Sequence, residues 1–441
     1  MSSLALLLRA LGKRVTGSDL GGGAARERLA AAGVTVYHGH RAEQAAGADL
    51  LIRSAAVGLD NPEVAWARER GVPVLTHAQA LGALMRDRIG LAVAGTHGKT
   101  TTTALLAWIL HVAGLDPTLA LGGEAINFNA SARLGRSLYL VVEADEFDRR
   151  FLELCPRLAI ITSIEADHLD CFRDLDEIVQ AFRAFVERVH PDGLLVTCAD
   201  AALLDSLDLP RRRERYGFAA HADWRVTAYQ PRRGGGSVFR LREPGGAEVR
   251  FELPLNGRHN AANAAAAVAA ARWAGASLEA ASEALRSFQG TRRRFEYKGT
   301  RAGVLVVDDY AHHPTELRAT LAAARAVHPG RVIAVFQPHT MNRTLKLLPE
   351  FAAAFSAADR VVLLPIYTPA GRERELLPVS SADLAARIQG VPVDLVDSLD
   401  EAVERLRAIL QSGDLALTLG AGDVYLVGER LLEQWAREGR R

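Results

Sequence analysis

The sequence contains little cysteine and almost no net charge. Its 3 cysteines in 441 residues, Cys155, Cys171 and Cys198, include no C-x-x-C pair. This argues against disulfides and structural zinc, and it is typical of a protein of the reducing cytoplasm. The 53 basic and 52 acidic residues give a formal net charge of +1. We therefore expect no nucleic-acid partner, and the arginine run 211–213 is most simply a solvated turn.

Long apolar segments are also scarce. The run 4–8 has no positive segment before it and is followed by Arg9, Lys13 and Arg14. We expect it to be a helix of a cytosolic protein rather than a signal peptide. The alanine-rich run 261–276 is interrupted by Asn263 and Arg272, so it predicts a packed helix rather than a membrane span. These patterns favour a cytoplasmic protein without membrane insertion.

The most informative motif is A-G-T-H-G-K-T-T-T at residues 94–102. An apolar run at 89–93 precedes it and a helical pattern at 104–110 follows, which predicts a strand, a glycine turn and a helix. Such a turn directs backbone N–H groups and the positive end of a helix at one point, as a polyphosphate requires. Lys99 can then reach the outer phosphates, and the Thr100 hydroxyl can hold Mg²⁺.

The motif is shorter than a full Walker sequence. The residue five positions before Gly98 is Val93, where the full spacing requires a glycine. A chance glycine-rich turn with a surface lysine therefore stays open as the structural alternative.

The length of the chain predicts two to four domains, and the pattern places boundaries near residues 88 and 288. In residues 1–88, a helix at 4–11 alternates with short strands at 14–16, 34–37 and 50–52, which predicts a parallel sheet. Asp19 follows the first of these strands, where a carboxylate can accept hydrogen bonds from a ribose or a uracil. A turn or cap aspartate is the alternative interpretation.

Residues 89–288 continue with strands that end in polar residues. An apolar strand at 138–142 leads into Glu143, and a strand at 158–164 leads towards His168. Acidic residues at the carboxyl end of a strand, in the same sheet as a phosphate loop, are placed to bind the metal of a nucleotide. A lone histidine is more often structural, but the neighbouring phosphate loop favours a metal ligand at His168.

The pattern changes to short alternating runs at 226–229, 238–241 and 249–253, separated by glycine-rich turns, which predicts antiparallel hairpins. Asn260 and Asn263 follow at the start of a helix. Their spacing of three places both amides on one face, where they can bind an adenine or a ribose. Helix capping is the alternative role for Asn260.

Residues 289–441 contain strands at 304–307, 332–336, 361–364, 393–396 and 415–419 with helical patterns between them. This predicts a doubly wound parallel sheet, in which ligands bind beyond the carboxyl ends of the strands. Polar residues collect at those ends, including Asp309, Tyr310 and His312 after the first strand.

Taken together, the phosphate loop, Glu143, His168, the two asparagines and the third unit resemble the Mur ligase superfamily of ATP-dependent amide-forming enzymes. The branch that adds L-alanine to UDP-N-acetylmuramate is the closest in pattern, and the likeness covers nearly the whole chain. The resemblance implies a three-domain α/β protein. It consists of a Rossmann-like UDP-sugar domain (1–88), a central ATP-binding domain of P-loop ATPase type with added antiparallel strands (89–288), and a Rossmann-like amino-acid domain (289–441).

The resemblance also implies roles for individual residues. ATP would be bound by Gly95, Thr96, His97, Gly98, Lys99, Thr100, Thr101, Asn260, Asn263, Arg294 and Asp309. Mg²⁺ would be held by Thr100, Glu143 and His168, with Lys99 and Arg294 stabilising the transferring phosphate. The UDP-sugar would contact Asp19, His38 and Ser54, and the amino acid would contact Tyr310, His312 and Arg343. A monomer or weak homodimer is expected.

Family members begin with a strand and a glycine-rich segment that ends in Met-Ser, and Met1-Ser2 match only its last two residues. We therefore expect that the first strand and the loop for the UDP pyrophosphate lie upstream of this start.

The sequence is also compatible with other functions. The nearest is the recycling ligase that joins a whole peptide to the same nucleotide sugar, although residues 145–148 and 151–152 fit the alanine-adding branch better. A folyl-polyglutamate-type ligase fits less well. From a different class, the phosphate loop could serve a nucleotide-binding switch, or the chain could be a truncated, inactive homologue that binds ATP only.

Overall fold

The structure is a computed structural model that describes residues 1–21, 24–169, 171–369 and 377–439. The chain forms two compact units. The first comprises residues 1–164, 176–225 and 264–284, and the second comprises residues 165–175, 226–263 and 285–441. Within the described ranges, no helix combines the length and the apolar character needed to cross a bilayer.

The first unit begins with short elements in which helices and strands alternate. They are α1 (Ser2–Ala10), β1 (Thr16–Asp19), α2 (Ala24–Ala31), β2 (Thr35–His38), β3 (Leu51–Arg53), α3 (Pro62–Glu69), β4 (Val74–Thr76) and α4 (His77–Met85). The pairs β1–β2 and β3–β4 are parallel, as expected, but they form two separate two-stranded sheets instead of one. The strands are only three or four residues long, and β1 has no apolar side chain to bury, so little holds them in a common sheet.

The rest of the first unit is built on a larger sheet. Its elements are β5 (Ile89–Ala94), α5 (Lys99–Val112), β6 (Thr118–Ala125), β7 (Ala130–Arg133), β8 (Tyr139–Glu143), β9 (Leu158–Ile161), α6 (Leu175–Arg188), β10 (Leu194–Cys198), α7 (Ala202–Ser206), β11 (Arg212–Gly217) and the start of β12 (Trp224–Pro231). The strand order within this unit is β11-β10-β9-β5-β8-β6-β7. All of these pairs are parallel except β6–β7.

Strand β5 lies in the interior of this sheet, between β8 and β9. Its residues after Ile89 are all buried, which explains the continuous apolar pattern of the sequence. The predicted phosphate-binding motif therefore starts at the carboxyl end of a buried strand.

The arginine run 211–213 is not a solvated turn. Arg212 begins strand β11, and the side chain of Arg213 is largely buried. Its guanidinium donates hydrogen bonds to the carbonyls of Leu207 and Asp205. The run was predicted to be a turn because of its charge. Instead it forms a strand, which is stabilised by pairing with β10 and by the carbonyl acceptors of Arg213.

In the second unit, β13 (Ser237–Arg242) and β14 (Glu248–Leu253) form an antiparallel pair, which confirms the hairpin prediction. Phe239 and Phe251 face each other across this pair with their rings stacked 5.4 Å apart. Helix α8 (Arg258–Trp273) begins in the second unit, but its residues from 264 onward belong to the first unit. The next helix, α9 (Leu278–Ser287), belongs to the first unit up to residue 284.

The second unit continues with β15 (Glu296–Arg301), β16 (Val304–Asp309), α10 (Pro314–Val327), β17 (Val332–Phe336), α11 (Met341–Lys346), α12 (Leu348–Ala352), β18 (Arg360–Leu363), α13 (Ser381–Ala385), β19 (Val393–Leu395), α14 (Leu399–Ile409), β20 (Leu415–Leu419) and α15 (Tyr425–Arg437). The strand order is β15-β16-β20-β17-β18-β19. The predicted parallel sheet is confirmed, and the unpredicted β15 adds an antiparallel edge.

Both faces of this sheet are buried. Ala334 and Phe336 of β17 pack into one hydrophobic cluster, whereas Ile333 and Val335 pack into a second. This alternation fixes the register of the strand, because a slip by one residue would exchange the two faces.

Candidate functional site

The turn between β5 and α5 has the conformation that the motif predicted. Gly95 has a φ of 126°, and a Cβ at this position would lie 2.1 Å from Thr162 Oγ1. Gly98 has a φ of 78° and caps α5. The backbone N–H of Thr96 donates to the carbonyl of Ser163, and that of His97 donates to the Ser163 hydroxyl. Both glycines are therefore required by the backbone, and the end of β9 holds the turn in place.

Lys99 lies in the first turn of α5, and its ammonium group is hydrogen-bonded to neighbouring protein groups. Its Nζ donates to the carbonyls of Gly95 (2.6 Å) and Thr96 (3.2 Å) and to Glu146 Oε1 (2.9 Å). Burial alone would lower the pKa of Lys99, but the neighbouring carboxylates, above all Glu146, raise it. Lys99 is therefore a cation at neutral pH, as an interaction with phosphate requires. Glu146 was not predicted as a partner of Lys99.

The structure brings Thr100 and Glu143 together. Thr100 Oγ1 donates to Glu143 Oε1 at 2.9 Å, and the backbone N–H of Gly122 donates to Glu143 Oε2 at the same distance. A hydroxyl and a carboxylate are hard oxygen donors of the kind that Mg²⁺ prefers. This donor set fits the predicted metal. The next residue, Thr101, is buried in the same helix turn.

The predicted sugar-binding residues lie on the short strands of the first unit. Asp19 and His38 are partners at the carboxyl ends of the parallel strands β1 and β2. Asp19 Oδ1 also accepts a hydrogen bond from the backbone N–H of Gly21 at 2.7 Å, as a turn aspartate would. Ser54 follows β3, and its hydroxyl accepts from the backbone N–H of Ala56 at 3.4 Å.

A polar cluster next to Asp19 was missed. The Ser18 hydroxyl donates to Glu63 Oε2 at 2.8 Å and lies 2.9 Å from His40 Nδ1. The only signal in the sequence was the position of Ser18 beside Asp19, because Glu63 is 45 residues away along the chain.

The other predicted residues belong to the second unit, in which Asn260 and Asn263 meet on one face of α8. Asn263 Nδ2 donates to Asn260 Oδ1 at 3.2 Å, and Asn260 Nδ2 donates to the carbonyl of Asn256 at 2.8 Å. An N-cap side chain accepts a hydrogen bond from a backbone N–H, and Asn260 instead donates to a carbonyl. The capping alternative for Asn260 is therefore wrong, and the expectation of a shared face is confirmed.

His168 lies in the loop before α6 with a φ of 52°. Its backbone N–H donates to Asp167 Oδ1 at 2.7 Å. Asp167 is buried and forms an ion pair with Arg343, whose Nε and Nη2 lie 2.9 and 2.8 Å from Asp167 Oδ1. Burial alone would raise the pKa of Asp167, but Arg343 and the nearby histidines hold it well below its usual range. The fork of Arg343 that we expected to face a substrate carboxylate is engaged by Asp167.

Arg294, Tyr310 and His312 lie close together. The Arg294 guanidinium is 5.1 Å from the centre of the Tyr310 ring, and the rings of Tyr310 and His312 pack edge to face at 5.3 Å. Glu316 joins them, because its carboxylate accepts from the backbone N–H of His312 and lies 3.6 Å from Arg294 Nη1. Burial lowers the pKa of His312 to about 3, so the imidazole is neutral at physiological pH.

Arg293 is a residue that sequence reasoning did not assign. Its guanidinium donates to Asp308 and to the carbonyls of Gly420 and Gly422, and it stacks between the rings of Tyr310 and Tyr425. The carbonyl of Arg293 also accepts from the backbone N–H of Tyr310 at 2.7 Å. These contacts fix the backbone that carries Arg294. The sequence signal was the run of three arginines, which does not say which of them turns inward.

Asp309 is the last residue of β16 and is buried. Its carboxylate accepts from the backbone N–H groups of Phe295 (2.7 Å) and Ala311 (2.8 Å). Burial raises the pKa of Asp309 to about 6 despite the nearby Arg294. Asp309 thus connects the two segments that carry Arg294 and Tyr310.

Three family models match the chain in succession. Residues 1–89 match the Mur ligase family catalytic domain, residues 93–271 the Mur ligase middle domain, and residues 293–422 the Mur ligase glutamate ligase domain. These matches confirm the predicted three-domain α/β class, whereas the boundaries at residues 88 and 288 stay predictions.

Curated relatives match almost the full chain. A UDP-N-acetylmuramate–L-alanine ligase of Solibacter usitatus is 44% identical and covers 100% of this chain and 94% of the relative. One of Caldanaerobacter subterraneus is 42% identical, covering 98% and 95%. Among solved structures, UDP-N-acetylmuramate-alanine ligase from Thermotoga maritima has a TM-score of 0.83 at 28% identity and covers 99% of this chain and 97% of its own. A murein peptide ligase from Psychrobacter arcticus has a TM-score of 0.72 at 29% identity, covering 99% and 96%.

The raised pKa of Asp309 predicts a pH effect on stability. The folded protein keeps this proton up to about pH 6, whereas an unfolded aspartate loses it near 3.8. Between these values the folded state binds more protons, so ionisation of Asp309 lowers stability as the pH rises. We expect the free energy of unfolding of the wild type, relative to Asp309→Asn, to fall by about 3 kcal/mol between about pH 3.5 and 7. Urea unfolding of both proteins at both pH values measures these free energies. If the difference between wild type and Asp309→Asn is the same at both pH values, the raised pKa of Asp309 is contradicted.

Proposed function

The chain belongs to the Mur ligase family, and we propose that it is an ATP-dependent ligase that joins L-alanine to the lactyl carboxylate of UDP-N-acetylmuramate. The observation that carries this function is the full-length match, at 42% and 44% identity, to relatives named for that reaction. The product is a precursor of peptidoglycan. The cytoplasm is the expected location, and a monomer or weak homodimer is the expected assembly.

The reaction needs ATP because a carboxylate is a poor electrophile. The lactyl carboxylate attacks the γ-phosphorus of ATP, ADP leaves, and an acyl phosphate forms. The amino group of L-alanine then attacks the acyl carbon, and phosphate leaves from the tetrahedral intermediate with one oxygen of the original carboxylate. Little covalent chemistry falls to the protein, so positioning and charge stabilisation dominate.

The phosphate loop supports the first step. Gly95 to Thr101 form a turn and a helix N-terminus that can bind phosphate oxygens. The cationic Lys99 would stabilise the negative charge on the transferring phosphate, and we assign Arg294 the same task. Asn260 and Asn263, whose side-chain amides are hydrogen-bonded to each other, and Asp309 would bind the remainder of ATP.

Mg²⁺ would be held by Thr100 and Glu143, whose oxygens lie 2.9 Å apart, with His168 as a further ligand. When bound, the ion neutralises phosphate charge and acts as a Lewis acid.

The other two substrates would bind at opposite ends of the sequence. Asp19, His38 and Ser54 would contact the UDP-sugar. Tyr310, His312 and Arg343 would line the pocket for L-alanine. His312 is neutral, so it can interact with the incoming amine without repelling a positive charge. Asp167 engages Arg343 Nε and Nη2 and His339 engages Nη1, so the second N–H of Nη2 is the donor that would bind the alanine carboxylate.

A recycling ligase that transfers a peptide is the second candidate, because a murein peptide ligase also matches 99% of the chain. The curated relatives at 42% and 44% identity are named for the alanine reaction, which favours alanine as the amine donor.

The substrate dependence of phosphate release tests the function. Purified protein with ATP, Mg²⁺ and UDP-N-acetylmuramate should release phosphate only when L-alanine is added. Release that requires the tripeptide L-alanyl-γ-D-glutamyl-diaminopimelate instead would identify the recycling ligase. Release that ignores both the sugar nucleotide and the amine would contradict either ligase and favour a nucleotide switch.

Lys99→Ala tests the phosphate loop. Removing a charge aimed at the transferring phosphate should lower kcat by about a hundredfold or more, with the circular dichroism spectrum unchanged. Lys13→Ala, at an exposed lysine of the same unit, is the matched control and should retain full activity. Wild-type turnover in the Lys99 variant would refute the assignment.

A further inference from the structure

The proposed mechanism gives Glu146 no role, although its carboxylate contacts Lys99. The two carboxylate oxygens lie 2.9 and 2.8 Å from Lys99 Nζ. The side chains of Lys99 and Glu146 are only 13% and 4% exposed, so water screens this ion pair weakly. In such a site a charge-assisted hydrogen bond is electrostatically stronger than the same bond in water.

The ammonium group of Lys99 has no N–H donor left over for phosphate, because its present acceptors use all of them. An ammonium group has three N–H donors. Three acceptors surround it, namely the carbonyl of Gly95, the carbonyl of Thr96 and the carboxylate of Glu146. A phosphate oxygen can gain a full hydrogen bond from Lys99 only by replacing one of them.

Glu146 is the acceptor best suited to be replaced. The carbonyls of Gly95 and Thr96 belong to the glycine turn, where the contact of Gly95 with Thr162 and the bond from Thr96 to Ser163 fix the backbone. Glu146 reaches Lys99 through a side chain, which can rotate without a change in the backbone. It also carries a negative charge, so one anion would be exchanged for another.

We propose that Glu146 is a positioning residue for Lys99 whose carboxylate competes with the terminal phosphates of ATP for the lysine ammonium. It orients the ammonium beside the turn and sets how tightly ATP binds. Only nucleotides whose phosphates reach Lys99 can replace it. This inference rests on the proposed ATP site and extends it, because it makes nucleotide affinity depend on a residue outside the phosphate loop.

The test compares variants for binding of the non-hydrolysable analogue AMPPNP with Mg²⁺, measured by isothermal titration calorimetry on the full chain. Glu146→Gln keeps the shape and one acceptor but removes the charge. Weakening the competing ion pair by about 1 kcal/mol should lower the Kd about fivefold. Asp148→Asn is the matched control, because it removes the same charge from an exposed residue of the same segment and should leave the Kd unchanged.

Glu146→Gln in a Lys99→Ala background distinguishes two effects of Glu146. One is competition with phosphate for Lys99, and the other is direct repulsion between the Glu146 carboxylate and the phosphates. If Glu146 acts through Lys99, Glu146→Gln adds no affinity once the lysine is gone. An equal gain in that background, an equal gain from Asp148→Asn, or unchanged or weaker binding in Glu146→Gln alone would overturn the inference. A Lys99→Ala variant that binds AMPPNP as tightly as the wild type would instead contradict the phosphate loop assignment itself.

Discussion

The arrangement around the Lys99 ammonium is the constraint on which the proposed chemistry depends. The lysine begins α5 directly after a turn that needs glycine at residues 95 and 98, so its backbone position is set by β5. Its charge is maintained by carboxylates at the end of the neighbouring strand β8. The same strand end supplies Glu143 to Thr100. The glycine turn, the lysine cation and the two oxygen donors that we propose as metal ligands thus result from placing β5 beside β8 in one parallel sheet.

In the second unit, too, the ends of buried parallel strands position the polar side chains. Its sheet is buried on both faces, so the polar residues collect where the strands end. Asp309 and Arg293 also act through the backbone, because their hydrogen bonds tie together the segments that carry Arg294 and Tyr310. Buried polar groups with satisfied hydrogen bonds make such an arrangement rigid.

The sequence predicted those parts of the fold and site that are local in the chain. The bounds of β17 and β20 were correct to the residue because each is a continuous apolar run. The glycine turn and the shared face of Asn260 and Asn263 follow from spacing. The edge strand β15 was missed because its residues, E-Y-K-G-T-R, show no apolar pattern. Asp167 was missed for another reason: its partner Arg343 is 176 residues away, and only the folded chain brings them together.

The central claim is that ATP phosphorylates the lactyl carboxylate of UDP-N-acetylmuramate. The most direct test uses a substrate that carries ¹⁸O in this carboxylate and follows where the ¹⁸O goes. If the acid is activated by the γ-phosphate beside Lys99, each turnover with L-alanine places one ¹⁸O atom in the released phosphate, which mass spectrometry detects. Unlabelled phosphate, or ¹⁸O found in AMP, would contradict phosphoryl transfer at this site.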